Sequence, residues 1–327
     1  VRALITGASG FAGGWLCDLC VAAGDEVLGI SRSGALPGAE PGLDHDAPAP
    51  GRAEGLAVDL RDGDAVSAAV RRWAPEVVYH LAALSSVGRS WSAPADTIAA
   101  NVGGAVSLLE AIRLHAPDAR VVWVSTSELY GTVAQLPIAE DSPPAPESPY
   151  GVSKLAGEQL ASVYAHTHEM RLVIARPFSH SGPRQRPIFL MSNIARQAAA
   201  ARRAGARSLR LTTGNADVRR DFTDVRDVVR AYRLLASSDL TGIFNVCSGV
   251  TRSTAEQVTE LARQATPLAI EHVVDPALVR DTEVMELRGD HSHLTAQTGW
   301  APTIPYAQTL ADTLAHWDRE LADGMRD

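Results

Sequence analysis

Tyr150 and Lys154 stand four residues apart in Ser-Pro-Tyr-Gly-Val-Ser-Lys. On a helix that spacing puts a phenol and an ammonium on one face. A nearby cation favours phenolate and lowers a tyrosine pKa from its reference of about 10, giving a proton-transfer pair suited to neutral pH. The spacing alone is common and often marks nothing more than a helix surface. Lys154 is distinguished by being the one lysine among 30 basic residues, all the others being arginine. A guanidinium is larger and planar, so a lysine kept against that bias points to work an arginine cannot do.

A second constellation opens the chain. Residues 2–5 read as a short buried strand, Gly7, Gly10 and Gly13 form G-x-x-G-x-x-G, and an apolar-periodic stretch to about Ala23 reads as a helix. Such a turn brings backbone N–H groups and a helix N-terminus against a pyrophosphate, where a Cβ would block the approach. Folds selective for NAD place an acid at the end of the second strand to accept the ribose 2′-OH. Here that region reads Gly29-Ile-Ser-Arg32, without a carboxylate. Arg32 could meet a 2′-phosphate, so NADP(H) is the expected cofactor. NAD(H) is the alternative if Arg32 is only a solvated loop residue.

These residues need a scaffold, and the rest of the chain supplies a pattern for one. Apolar runs at 26–30, 55–58, 77–80, 120–125 and 172–175 read as buried parallel strands. Helical stretches near 62–73, 96–115 and 149–167 lie between them. This is the rhythm of an α/β fold, a Rossmann-type doubly wound parallel sheet. Residues 31–53 and 134–149 are rich in Gly, Pro or Asp and read as loops. After Arg176 the rhythm weakens. Residues 1–176 with about 217–250 are expected to form the dinucleotide-binding domain, because 225–236 and 243–246 look like a return to the main sheet. About 177–216 and 251–327 are expected to form a smaller α/β substrate domain.

Composition bounds the function. A net charge of −8 argues against general binding to nucleic acid or anionic membranes. No apolar run reads as approaching the roughly 18 residues that span a bilayer. No signal-peptide pattern precedes the first strand, and three cysteines do not make a disulfide framework. A cytoplasmic protein is expected. Cys17 and Cys20 have redox or zinc spacing, but both fall inside the first helix and read as buried small hydrophobes. The pairs His166/His168 and His291/His293 lack an evident third ligand, and no metal site is expected.

The motifs together carry a resemblance. Thr6-Gly-Ala-Ser-Gly-Phe-Ala-Gly13, Asp59-Leu60, His80-Leu-Ala-Ala83, Ser125-Thr-Ser-Glu-Leu-Tyr-Gly131 and Tyr150-Gly-Val-Ser-Lys154 follow in order. The chain resembles extended short-chain dehydrogenase/reductases of the nucleotide-sugar epimerase/dehydratase group. Within it, the chain is most similar to GDP-4-keto-6-deoxy-mannose reductases, through 81–91, Arg220–Val229 and Asn245–Gly249, and also to GDP-mannose 4,6-dehydratases. The resemblance implies an enzyme acting on a nucleotide-linked hexose, with a GDP-hexose favoured. Reduction of a 4-keto-6-deoxy sugar is the first reading. Dehydration or epimerisation with recycled cofactor is the second. A non-catalytic redox-sensing regulator is a third, disfavoured by the Tyr150/Lys154 pair.

The resemblance also implies roles. Thr126 corresponds to the catalytic Ser/Thr that holds the reacting sugar oxygen, and Tyr150 passes the proton. Lys154 holds the nicotinamide ribose and biases Tyr150. Glu128 reads equally as an acid–base residue or as a loop carboxylate. Gly7, Gly10, Phe11, Ala12 and Gly13 would wrap the pyrophosphate, Asp59 would contact the adenine with Leu60 beside it, and Leu81, Ala82 and Ala83 would also bind the cofactor. Ser85, Thr126, Ser179, Arg220, Arg280 and Glu283 would contact substrate, with Arg184, Arg186 and Arg219 adding positive charge for the diphosphate. Phe178-Ser179-His180 replaces the family's Phe-Asn-His, Arg280-Asp281 its Arg-Pro, and His293 a common lysine. These departures fit an unusual sugar. The resemblance further implies a homodimer through helices 96–115 and 149–167, whose Ala, Val, Leu and Tyr recur on one face.

Overall fold

In the computed structural model, residues 1–36, 51–279 and 284–323 are described. β1 (Arg2–Thr6), α1 (Phe11–Ala22), β2 (Glu26–Ser31), β3 (Arg52–Ala57), α2 (Gly63–Trp73) and β4 (Val77–His80) come first. α3 (Val87–Ser92), α4 (Pro94–Ile98), a π-helical turn (Ala99–Gly103) and α5 (Gly104–His115) follow, then β5 (Arg120–Val124), α6 (Pro149–Thr167) and β6 (Leu172–Pro177). The remainder holds β7 (Ser179–Ser181), α7 (Leu190–Arg203), β8 (Ser208–Thr213), β9 (Arg219–Asp224), α8 (Val225–Ala236) and β10 (Gly242–Val246). Last come β11 (Thr251–Ser253), α9 (Thr254–Gln264), β12 (Ala269–Val274), β13 (Glu286–Leu287), α10 (Ser292–Thr298) and α11 (Tyr306–Asp323).

Seven strands form one sheet in the order β10-β6-β5-β4-β1-β2-β3, with every neighbouring pair parallel. The chain winds outward from β1 to β3, then crosses back to β4. The order therefore reverses between β1 and β4, where Thr6 registers with His80. Ligands of such sheets bind outside the carboxyl ends of the strands at this reversal. Two apolar layers hold the sheet. One packs Leu16, Val228 and Tyr232 of α1 and α8 on one face, and the other packs Val66, Leu108 and Ile112 of α2 and α5 on the other.

The elements differ from the sequence reading in three places. The third strand begins at Arg52, inside the expected 31–53 loop, and most of its residues are exposed. It is an edge strand with β2 as its one neighbour, so burial on both faces is not required of it. Residues 37–50 of that loop lie outside the described ones. Secondly, Pro94–His115 is long and apolar enough to cross a membrane by length and composition, contrary to expectation. In the fold 44% of its apolar window is buried, with Leu108, Leu109 and Ile112 in the core under the sheet. Thirdly, the C-terminal strands were not legible: β7, β9, β11 and β13 make a small sheet, and β8 and β12 pair in parallel. α8 and β10 do return to the main sheet layer, β10 beside β6.

Candidate active site

The glycine turn is set by close backbone approach. Gly7 has φ +77°, and a Cβ there would sit 2.9 Å from the Ala82 nitrogen. A Cβ on Gly13 would sit 2.1 Å from the Gly7 carbonyl oxygen. Gly7 donates to the Ile30 carbonyl at 2.8 Å, and Gly10 to the Gly7 carbonyl at 2.8 Å. α1 starts at Gly10 with no side chain capping it and no acid in its first turn. The N–H groups of that turn and the partial positive charge of the helix end form a cradle suited to a pyrophosphate. Phe11 and Ala12 belong to the same turn. Leu81, Ala82 and Ala83 run past it, with Ala82 donating to the Thr6 hydroxyl at 3.2 Å and Leu81 to the Thr6 carbonyl at 3.2 Å.

Thr126 follows the carboxyl end of β5, where it caps the short turn Ser127–Leu129 by accepting from the Glu128 N–H at 3.2 Å. Its hydroxyl is also close enough to the Tyr150 phenol to draw it down. Tyr150 enters on the first turn of α6, which Ser148 caps and Pro149 starts. Lys154 is buried and donates to the Val124 carbonyl at 2.6 Å. The structure thus brings Thr126, Tyr150 and Lys154 together at the end of β5, with half-buried Glu128 on the same turn.

The electrostatics correct one expectation. Burial pushes the Tyr150 phenol up to about 12, against the pull of the Thr126 hydrogen bond and with Glu128 adding to the rise. Lys154 was expected to lower it. Burial also brings the Lys154 ammonium down to about 8, with Glu158 opposing the fall. Burial is the largest cause of each shift, so the four-residue spacing does not by itself bring the phenol down. Beneath them His80 accepts or donates at Nδ1 to the Thr6 hydroxyl, 2.9 Å away. Burial, and then Lys154, hold its imidazole down at about 3.

Several participants were missed from the sequence. Asn101, in the π-helical turn, accepts from the Leu84 N–H at 2.7 Å and donates to the Ser153 hydroxyl at 2.8 Å. Ser153 in turn donates to the Tyr150 carbonyl at 2.7 Å. One amide therefore ties the loop after β4 to the Tyr150 helix. The signal was available: a lone Asn within an apolar helical pattern, beside paired glycines. π-turns inside helices often mark functional sites. Arg61 is another. It grips both Asp59 oxygens, at 2.6 to 3.1 Å. Its hydrogen bonds bring the Asp59 carboxyl down to about 2, and the charge of Arg32 adds to the effect. Arg32 is exposed and near Asp59, so two guanidiniums stand by that carboxylate.

The expected substrate groups are more scattered. Ser85 is exposed at the loop after β4, and Ser179 opens β7 beside β9. Arg220 is half-buried and donates to the Arg219 and Val284 carbonyls at 2.9 and 2.7 Å. Arg280 and Glu283 lie outside the described residues. Arg184 pairs with Asp18 at 2.6 Å and covers the Trp15 ring. Arg219 pairs with Glu256 at 3.1 Å, and Arg186 is exposed. Burial pushes the Cys17 thiol up to about 12 and the Cys20 thiol to about 11, which makes both poor nucleophiles.

Comparison with known proteins agrees with this geometry. Residues 4–313 match the family model described as GDP-mannose 4,6 dehydratase. A relative from Pseudomonas aeruginosa, GDP-6-deoxy-D-mannose reductase, is 38% identical over 76% of this chain and 82% of its own. UDP-glucose 4-epimerase of Mycolicibacterium smegmatis is 33% identical over 96% of this chain and 97% of its own. Among solved structures, RMD from Pseudomonas aeruginosa complexed with NADPH superposes with a TM-score of 0.82 at 33% identity, covering 98% of this chain and 99% of that one. With its cradle, its Tyr150/Lys154 pair and these relatives, the chain belongs to the GDP-mannose 4,6-dehydratase family of NAD(P)-dependent extended short-chain dehydrogenases/reductases.

Proposed function

We propose that this chain reduces the 4-keto group of a GDP-4-keto-6-deoxyhexose with NADP(H). The observation that carries the reading is the buried Tyr150 phenol, set beside Thr126 at the end of β5 and pushed up to about 12. Such a phenol holds its proton at neutral pH, as the acid in a carbonyl reduction must. Thr126 holds the carbonyl oxygen, and Tyr150 gives that oxygen its proton. Lys154, fixed on the Val124 carbonyl, adds positive charge that favours the phenolate left behind.

The bound dinucleotide supplies the hydride. The turn Gly7–Gly13 would hold its pyrophosphate, Asp59 and Leu60 its adenine, and Arg32 its 2′-phosphate. Leu81–Ala83, Tyr150 and Lys154 would hold the nicotinamide end. Ser85, Ser179, Arg220, Arg280 and Glu283 are proposed to bind the nucleotide sugar. Residues 1–176 with about 217–250 form the dinucleotide domain in this reading, and 177–216 with 251–327 the sugar domain. Dehydration or epimerisation is the second reading, favoured by Glu128, whose carboxylate stands close enough to act on Tyr150. A redox-sensing regulator would bind cofactor and turn over no sugar. NADPH consumption with a 4-keto-6-deoxy GDP-sugar tests the proposal.

A cytoplasmic homodimer belongs to the same reading. Val152, Ala156, Gln159 and Val163 line one stripe of α6, with Val152 and Val163 exposed. Ile98, Val106 and Leu114 are exposed along α4 and α5. Two copies packing these helices would cover the apolar face that the fold leaves open, an interface of about 2,000 Å² or more if obligate. Light scattering at micromolar concentration is expected to give twice the chain mass of 34.6 kDa. A fully active monomer would contradict the dimer.

A further inference from the structure

Glu158 lies one helical turn beyond Lys154, as Lys154 lies one turn beyond Tyr150, so all three share one face of α6. Glu158 is 1% exposed and Arg176, on β6, is 3% exposed. They form a two-point pair, Arg176 Nη2 to Oε1 at 2.5 Å and Nε to Oε2 at 3.2 Å. The guanidinium is held on its other side, donating to the Tyr130 hydroxyl at 2.8 Å and the Glu140 carbonyl at 3.2 Å. The Tyr130 hydroxyl passes on to Asn245 at 2.9 Å. A buried pair of this kind loses so much hydration that apolar residues of the same volume often serve stability as well or better. Its position under the Lys154 ammonium gives it another use.

Among the described residues, the charged and titratable groups around Lys154 are few. From β4 comes His80, held neutral by burial. From β5 comes the Val124 carbonyl, which is dipolar and not charged. On α6 itself stand Tyr150 and Glu158. Glu128 acts on Tyr150 from the turn after β5, and Tyr232 is close to it from α8. Arg176 faces in from β6, committed to Glu158.

We propose that Glu158, clamped by Arg176, is a positioning residue for proton transfer: its buried carboxylate is the counter-charge that keeps Lys154 an ammonium ion at neutral pH. Burial drives a lysine toward the neutral amine, and an opposite charge nearby resists this. Because Arg176 occupies both carboxylate oxygens, Glu158 offers Lys154 its field without drawing the ammonium off the Val124 carbonyl. The inference rests on the reading of Tyr150 and Lys154 as the proton-transfer pair.

Lys154 is the chain's one lysine, so protein grown on 13C-labelled lysine gives a single side-chain NMR signal to titrate. The wild-type midpoint is expected near about 8. Glu158→Gln is expected to lower it by about one pH unit or more. Should that variant not fold with Arg176 left unpaired, the double variant Glu158→Gln/Arg176→Met removes the whole pair and is expected to lower the midpoint by a smaller amount, because the carboxylate that acts on Lys154 goes together with the guanidinium that opposes it. A folded variant of either kind with an unchanged midpoint overturns the proposal. A purely structural pair would alter stability and leave the lysine midpoint alone. The signal needs neither sugar nor cofactor, so failure of the sugar assignment would not disturb it.

Discussion

Tyr150→Phe is expected to cut turnover by roughly 10²–10⁴-fold, the usual worth of a positioned acid–base group. The substitution removes one hydroxyl and keeps the ring. That ring is 8% exposed, at the start of a helix whose cap and first residue are Ser148 and Pro149, so the packing around it survives. The hydroxyl is close to Thr126, which accepts from the Glu128 N–H and is held by its own turn. Once Tyr150 cannot donate, none of these groups stands in its place with a proton to give at neutral pH. His80 is neutral and committed to Thr6. Dinucleotide binding should persist, because the glycine turn is untouched. Steady-state turnover together with a cofactor-binding titration checks both parts. Turnover at the wild-type rate would remove Tyr150 from the mechanism.

The second large effect is on cofactor choice. Arg32→Ala should weaken NADPH by on the order of 10- to 100-fold, the equivalent of about 1.5–3 kcal/mol for hydrogen bonds to a charged group. NADH, which lacks the 2′-phosphate, should be barely affected. Arg32 directly follows β2, is exposed, and stands near Asp59. Arg61 sits on the other side of Asp59, gripping both its oxygens. An exposed contact is screened, so the difference between the two cofactors should narrow as salt rises. Fluorescence titration with each cofactor measures it. Equal losses for NADPH and NADH, or a wild-type preference for NADH, would refute the assignment.

Local sequence carried the dinucleotide half of the molecule well. Strands buried on both faces read as continuous apolar runs, and Val77–His80 and Pro149–Thr167 fall where the pattern puts them. The glycine spacing, Tyr150 and Lys154 were legible because backbone geometry and side-chain type constrain them directly. The edge strand Arg52–Ala57 was not, since exposure removes the apolar signature. The short strands of the C-terminal half depend on long-range pairing, such as Ser179 with Phe222 or Glu286 with Arg219, which no local pattern encodes.

At the site, what escaped was relational. Asn101 matters because a π-turn aims it at Leu84 and Ser153. Glu158 matters because β6 brings Arg176 beneath it. Arg184 was offered for the diphosphate on charge alone, and the fold gives it a partner, Asp18, that charge alone does not reveal. The tyrosine pKa was misjudged for a related reason. Spacing gives the neighbour, but only the fold gives the burial that raises the phenol.

The central claim is that this enzyme reduces a 4-keto sugar and does not make one. A dehydratase or epimerase returns the hydride to its own sugar and needs only catalytic cofactor. A reductase consumes NADPH with every turnover. The most direct measurement incubates the full chain with a GDP-4-keto-6-deoxyhexose and NADPH, and in parallel with GDP-mannose and no added reductant. Absorbance follows the cofactor and mass spectrometry follows the sugars. The account predicts equimolar NADPH oxidation and sugar reduction in the first incubation, and no 4-keto product in the second. Accumulation of a 4-keto sugar from GDP-mannose without reductant, or a stereoisomer of unchanged mass, would contradict it.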